Sequence, residues 1–268
     1  MIAPPSIAGA FERARAERRA ALIPYVVAGD PDPATTLAIL ETLTENGADL
    51  IELGIPYGDP LADGPTIAAA GQRALEAGTK MAGALAIAAH ARERGCAPIV
   101  LFTYVNPVDR YGAERFAREA RAAGVAGAIV PDVPLEELET FAPALRAEGL
   151  DIPLLVAPTT PPQRAAQIAG ASTGFLYLVS RLGVTGARRE PDAAWAAAAV
   201  GRLREATSLP LAVGFGISTP EHVATMARVA DGVIVGSALI DAYAGTRGGE
   251  AARRVAAFIA PMGRKLRF

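Results

Sequence analysis

The sequence predicts an α/β fold closed into a (β/α)8 TIM barrel, one domain over residues 1–268 with an extra N-terminal helix and inserted helices. Three observations predict it. Short runs rich in Val, Ile and Leu recur eight times, with Ala-rich stretches at helical spacing between them. Most of these runs are continuously apolar rather than alternating, as parallel strands covered on both faces require. The length of 268 residues, 51% of them hydrophobic, matches one barrel of about 250 residues. Eight units favour closure, although helix count alone leaves an open doubly wound sheet as the alternative.

The strand expectations are residues 22–27, 50–53, 99–103, 128–130, 152–156, 175–179, 211–213 and 233–235. A helix over residues 6–20 precedes them and would plug the barrel bottom. Residues 35–46 carry Leu37, Leu40 and Leu43 on one face, and Gly47 follows as a C-terminal stop. Residues 114–123 end at Gly124, and residues 135–148 read as a helix ended by Gly149. Ser218-Thr219-Pro220-Glu221 reads as a helix start, with Pro inside the first turn. Phrases such as Gly47-Ala48-Asp49-Leu50-Ile51-Glu52 and Ala230-Asp231-Gly232-Val233-Ile234-Val235 repeat one logic: helix end, tight turn, buried strand.

Composition narrows the function. A net charge of −2 argues against nucleic acid or a membrane surface as a partner held by bulk electrostatics. No run approaches the roughly 20 apolar residues of a membrane span, and the N-terminus does not read as a secretory signal. Cys96 is the only cysteine, which rules out an intrachain disulfide and a Cys-rich zinc site and points to a reducing cytoplasm. Lys80 and Lys265 are the only lysines, and neither is expected to end a strand. His90 and His222 fall in expected helices, far apart in sequence, so no metal site is expected. Schiff-base and His-metal chemistry thereby lose their residues, which leaves carboxylates and tyrosines.

In a parallel barrel the active site lies at the C-terminal ends of the strands. Residues 180–186, Gly214-Phe215-Gly216-Ile217-Ser218 and Gly236-Ser237 follow the sixth, seventh and eighth strands. Their glycine turns can present backbone N–H groups to one anion, with the Ser237 hydroxyl at a helix start. Thr219 stands where a dinucleotide fingerprint needs its third glycine, and no G-x4-G-K-[ST] loop occurs, so the anion reads as a substrate phosphate. Glu52 ends the second strand between apolar neighbours, where desolvation would raise its pKa into the range of a group that gives and takes protons. Asp63 offers a second carboxylate on the loop that leaves this strand. A rim salt bridge for Glu52 and a turn-forming role for Asp63 remain equal alternatives on spacing alone.

The string Glu52-Leu53-Gly54-Ile55-Pro56-Tyr57-Gly58-Asp59-Pro60-Leu61-Ala62-Asp63-Gly64-Pro65-Thr66-Ile67 closely resembles the signature of the tryptophan synthase alpha chain family. Ile23-Pro24-Tyr25-Val26-Val27-Ala28-Gly29-Asp30-Pro31, Tyr104-Val105-Asn106-Pro107, Pro131-Asp132-Val133-Pro134 and residues 180–186 match the family in order and spacing. The resemblance implies retro-aldol cleavage of indole-3-glycerol phosphate, with Glu52 as acid–base residue and Asp63 holding the indole N–H. It implies Tyr25, Tyr177, Thr185 and Phe215 around the substrate, and Gly186, Gly216, Gly236 and Ser237 around the phosphate. It also implies loops at residues 54–65 and 181–190 that close over the substrate. The implied partner is the tryptophan synthase beta chain in an α2β2 heterotetramer, facing Asp59 and Asn106. No cofactor is implied for this chain, pyridoxal phosphate being expected only in the beta partner.

The sequence departs from the commonest family pattern at Tyr25 (frequently Phe), Gly58 (commonly Ser), Leu182 (often a small residue) and Asp109. These departures bear on loop dynamics and partner affinity, not on the carboxylates. Another phosphate-binding barrel lyase or isomerase, or a ligand-sensing subunit without catalysis, is the alternative. A ring-closing indole-3-glycerol phosphate synthase would want a strand-end lysine, and the sequence offers none.

Overall fold

The computed structural model describes residues 6–179, 193–214 and 216–267. The chain runs α1 (Ile7–Ala16), β1 (Ala21–Val27), α2 (Pro33–Glu45), β2 (Ile51–Gly54), α3 (Pro65–Glu76), α4 (Met81–Glu93) and β3 (Ile99–Phe102). It continues with α5 (Val105–Tyr111), α6 (Ala113–Ala122), β4 (Gly127–Ile129), a 3-10 turn (Leu135–Thr140), α7 (Ala142–Ala147), β5 (Leu154–Val156), α8 (Pro162–Ala171) and β6 (Leu176–Val179). The last elements are α9 (Ala193–Ala206), β7 (Leu211–Gly214), α10 (Pro220–Ala227), β8 (Gly232–Val235), α11 (Ser237–Tyr243) and α12 (Gly248–Gly263).

All eight expected strands are present, with edges moved by no more than two residues. They pair in parallel in the order β4-β3-β2-β1-β8-β7-β6-β5. A parallel bridge between Gly127 and Asp151 brings the two ends of the sheet together, so the sheet is a nearly closed TIM barrel. Here the backbones come so close that a Cβ on Gly127 would sit 2.5 Å from the Asp151 carbonyl oxygen. Only glycine fits that seam.

Local signals set the helix ends. Asp32 caps α2 by accepting the Thr35 N–H at 2.8 Å, and Pro33 fills the first turn, so the helix starts two residues before the expected residue 35. Thr219 caps α10 in the expected way, its hydroxyl accepting from the His222 N–H at 3.2 Å. One expectation fails. Residues 135–148 form no continuous helix but a 3-10 turn and then α7, broken at Phe141. Pro143 lacks the N–H that a helix interior needs, so α7 can begin only with that proline in its first turn.

Helix α1 does seal the bottom of the barrel. Ser6 caps it at 3.1 Å, and its apolar face (Ile7, Ala10, Phe11, Ala14) is buried. The Phe11 ring lies 5.7 Å from Phe175, which lies 6.3 Å from Tyr177. This aromatic column runs from the plug up the barrel interior. At the other end Asp30, three residues after β1, is gripped by Arg73 of α3 at 2.7 and 2.9 Å and by the Tyr243 hydroxyl of α11 at 3.0 Å. Two of the helices that begin at the barrel mouth are thus braced to the first strand. Among the described residues no helix is long and apolar enough to cross a membrane.

Phe11→Ala should leave a cavity beneath Phe175 and cost about 3–5 kcal/mol of stability. Urea unfolding would show this as a lowered midpoint at unchanged slope, and a midpoint within error of the parent would mean that α1 does not hold the bottom shut.

Candidate active site

Glu52 lies in β2 and is 1% exposed. In the sheet register it stands opposite Tyr25 of β1 and Val100 of β3, so these three side chains share the inner face of the barrel. Its Oε1 has no hydrogen-bond partner among the described residues. Burial pushes the carboxyl up to about 8, and Glu52 carries its proton at neutral pH. The rim salt bridge is thereby discarded.

Aromatic walls surround it. The Tyr25 ring meets Phe102 edge-on at 5.7 Å. Its hydroxyl lies over Gly54, where an added Cβ would come within 2.2 Å of that oxygen. The extra hydroxyl that tyrosine brings here is accommodated by a bare backbone at the strand's end. Burial first, and then the charge of Asp63, hold this hydroxyl well above its ordinary range. Tyr177 of β6 is buried as well, raised by burial and then by the charge of Glu52, so it too belongs to the same interior space.

Asp63 sits half-buried on the loop between β2 and α3. Burial raises its carboxyl, and the nearby Tyr104 hydroxyl opposes that rise. The same hydroxyl accepts the Ala62 N–H at 3.2 Å. Asp63 thus sits beside the Tyr104 phenol, whose hydroxyl fastens the backbone of its loop. On the outer rim Asp59 and Asn106 are both exposed. Asn106 donates to the Tyr57 hydroxyl at 3.2 Å, and the Tyr57 ring lies 5.5 Å from Tyr104.

Gly216 and the pair Gly236-Ser237 follow β7 and β8, which are hydrogen-bonded neighbours. Gly216 takes φ +80°, a conformation that favours glycine, and Ser237 opens α11 half-buried. Thr185, Gly186 and Phe215 lie outside the described residues, as does the loop at 181–190 with Leu182. Lys80 precedes α4 and Lys265 follows α12, while His90 and His222 lie on α4 and α10, so none of these ends a barrel strand. Among the described residues no group of three or more His, Cys, Asp or Glu is placed to hold a metal ion.

The sequence reading missed Phe102 and Tyr104 as site residues. A signal was present: along β3 the period of two places Val100, Phe102 and Tyr104 on the face that its partner strand gives to Glu52. Taken together, the barrel mouth holds one dry, protonated carboxyl and a second, half-buried carboxyl beside a phenol, facing an aromatic space. Two carboxyls in such unlike surroundings can divide the roles of acid and charge stabiliser.

Comparison with known proteins converges on one family. A profile of the tryptophan synthase alpha chain matches residues 11–264. The tryptophan synthase alpha chain of Prochlorococcus marinus is 50% identical over 254 residues, 94% of this chain and 92% of that one. That of Solibacter usitatus is 50% identical over 230 residues, 86% of each. Among solved structures, a Mycobacterium tuberculosis tryptophan synthase chain superposes with a TM-score of 0.89 at 39% identity, covering 98% of this chain and 99% of its own. The alpha subunit from Legionella pneumophila gives 0.88 at 34% identity, covering 98% of each.

Burial of Glu52 has a thermodynamic signature. An unfolded glutamate loses its proton near pH 4.5, whereas the folded one keeps it to about 8, so stability falls as pH rises through that window. Glu52→Gln, which cannot ionise, should therefore be more stable than the parent at pH 8.5 by roughly 2–5 kcal/mol, the gap vanishing below pH 4.5. Thermal melts across pH check it; a gap independent of pH would mean that Glu52 is not held protonated.

Proposed function

The chain belongs to the tryptophan synthase alpha chain family, and from that premise we infer how its barrel mouth carries out the alpha reaction of tryptophan biosynthesis. It is a carbon–carbon lyase that releases indole and glyceraldehyde 3-phosphate from indole-3-glycerol phosphate. The observation that carries the assignment of roles is the buried carboxyl of Glu52, still protonated at neutral pH and facing an aromatic space.

Glu52 gives its proton to the ring carbon that bears the glycerol chain. The ring becomes an iminium, with positive charge on nitrogen, and Asp63 accepts the N–H hydrogen bond and stabilises that charge. The Glu52 carboxylate then removes the proton of the side-chain hydroxyl next to the ring. The carbon–carbon bond breaks, its electron pair neutralises the iminium, and the hydroxyl carbon becomes the aldehyde of glyceraldehyde 3-phosphate. One carboxyl begins and ends protonated. The protonated ring itself is the electron sink, so this sequence of steps calls on no cofactor within the chain.

In this reading Tyr25, Tyr177, Phe215 and Thr185 surround the indole and glycerol portions, with Phe102 behind Tyr25. Gly186, Gly216, Gly236 and Ser237 hold the phosphate through backbone N–H groups and one hydroxyl; the pairing of β7 with β8 supports that grouping. Closure of the loops at 54–65 and 181–190 would expel water and strengthen both carboxylate interactions. Residues 1–268 act as one barrel domain in the cytoplasm. Asp59 and Asn106 meet a tryptophan synthase beta chain in an α2β2 heterotetramer, where pyridoxal phosphate belongs to the beta chain. The exposure of Asp59 and Asn106 beside the Asp63 loop supports that placement.

Glu52→Gln should abolish indole release while phosphate-ligand binding stays within a few-fold of the parent, and Asp63→Asn should lower kcat/KM at least about 100-fold. Indole release is followed by colorimetry and binding by calorimetry. Parent-like turnover in Glu52→Gln would rule the mechanism out.

A further inference from the structure

The helix that begins after Asp63 is not simply packed against its neighbour. Between α3 and α11 lies a cleft of about 300 Å³, bordered by Thr66, Arg73 and Asp241. Side chains that interlock at full density fix one another's places, whereas a gap leaves two helices free to shift unless something spans it. A polar contact spans this one. The Thr66 hydroxyl, in the first turn of α3, donates to the Asp241 carboxylate of α11 at 3.1 Å.

Both helices are also tied to one buried carboxylate after β1. The Asp30 side chain has no exposed surface. It accepts from Arg73 Nε and Nη2 at 2.7 and 2.9 Å and from the Tyr243 hydroxyl at 3.0 Å. The contacts close a ring: Asp30 to Arg73, along α3 to Thr66, across to Asp241, along α11 to Tyr243, and back to Asp30. Asp63 lies three residues before Thr66, so the ring includes the root of its loop. Its two links to α11 differ in strength. Water competes for the Thr66–Asp241 contact, whereas Tyr243 is 1% exposed and its hydroxyl bonds a charged group out of solvent. Arg73 already balances the charge of Asp30, so the phenol serves as a neutral fastener and can be removed without leaving that charge unpaired.

We propose that Tyr243 is a positioning residue for the alpha reaction: by fastening α11 to Asp30 it closes the ring that fixes α3, and so sets where Asp63 stands against the ring N–H of the substrate. The inference rests on the role given to Asp63 above. Tyr243 bonds Asp30 rather than the reacting atoms, so its effect on turnover must pass through Asp63.

The test is steady-state indole release by full-length Tyr243→Phe, made in the parent and in Asp63→Asn and assayed well below the melting temperature of each. Phenylalanine keeps the ring buried and leaves Arg73 on Asp30, so the variant should fold. A misplaced group that acts in the transition state costs turnover more than substrate binding, so kcat should fall about 10-fold while KM stays within about two-fold of the parent. In Asp63→Asn the same substitution should change kcat by less than about two-fold, because the group it places is gone. Thr66→Val opens the ring at its weaker link and should lower kcat about three-fold, with the same dependence on Asp63. Should Tyr243→Phe fail to fold, Thr66→Val decides alone. An equal loss in both backgrounds would mean that the ring supports the fold or the phosphate end rather than Asp63, and overturns the inference. Parent-like kcat in Tyr243→Phe beside an impaired Asp63→Asn sinks the inference alone. Parent-like activity in Asp63→Asn removes the role of Asp63 first, and this inference with it.

Discussion

A carboxyl on the inner face of a parallel barrel has few ways to keep its charge. Glu52 lies between Ile51 and Leu53, opposite Tyr25 and Val100, and is 1% exposed. Transfer of a carboxylate into such a setting costs several kcal/mol, and the group responds by holding its proton. The barrel walls that penalise the anion are the same walls that shape the aromatic space, so acidity and substrate shape follow from one packing. Closure at the Gly127–Asp151 seam, the α1 plug and the Phe11–Phe175–Tyr177 column all keep water from entering beneath Glu52.

Most of this was legible in the sequence because buried parallel strands have a strong signature. The runs that became β1 to β8 are apolar almost throughout, a pattern that lies beyond what surface helices offer, and the glycine-ended helices between them confirm the phase. Glu52 stood out because it interrupts such a run. The 135–148 segment misled because its leucines satisfy a helical period while Pro143 forbids a continuous helix, and backbone hydrogen bonding outweighed side-chain pattern. Phe102 and Tyr104 were harder to see. Their importance comes from the register of β3 against β2, and no local pattern states register.

Asp63 presents the opposite case to Glu52. It lies on a loop, where solvent and motion would ordinarily leave a carboxylate ionised but unplaced. Here the loop is placed through its backbone, the Ala62 N–H donating to the Tyr104 hydroxyl at 3.2 Å, while burial raises the Asp63 carboxyl. Two carboxyls eleven residues apart in sequence thus sit in unlike surroundings: Glu52 is buried in a strand with no partner for its Oε1 among the described residues, and Asp63 is half-buried on a loop beside Tyr104.

This division explains why the inserted helices matter. In the simplest barrel a strand passes through a short loop to its outer helix, and nothing beyond the strand end needs fixing. Helices α3, α5 and α11 instead begin at the mouth. α3 starts two residues after Asp63, and α5 starts immediately after Tyr104. Arg73 of α3 and Tyr243 of α11 converge on Asp30, so the far sides of these helices are fixed to β1. The loop that carries Asp63 therefore runs into a helix braced to β1 by the Arg73–Asp30 ion pair and is fastened through its Ala62 N–H to the Tyr104 hydroxyl, so its position on the barrel is fixed from two sides.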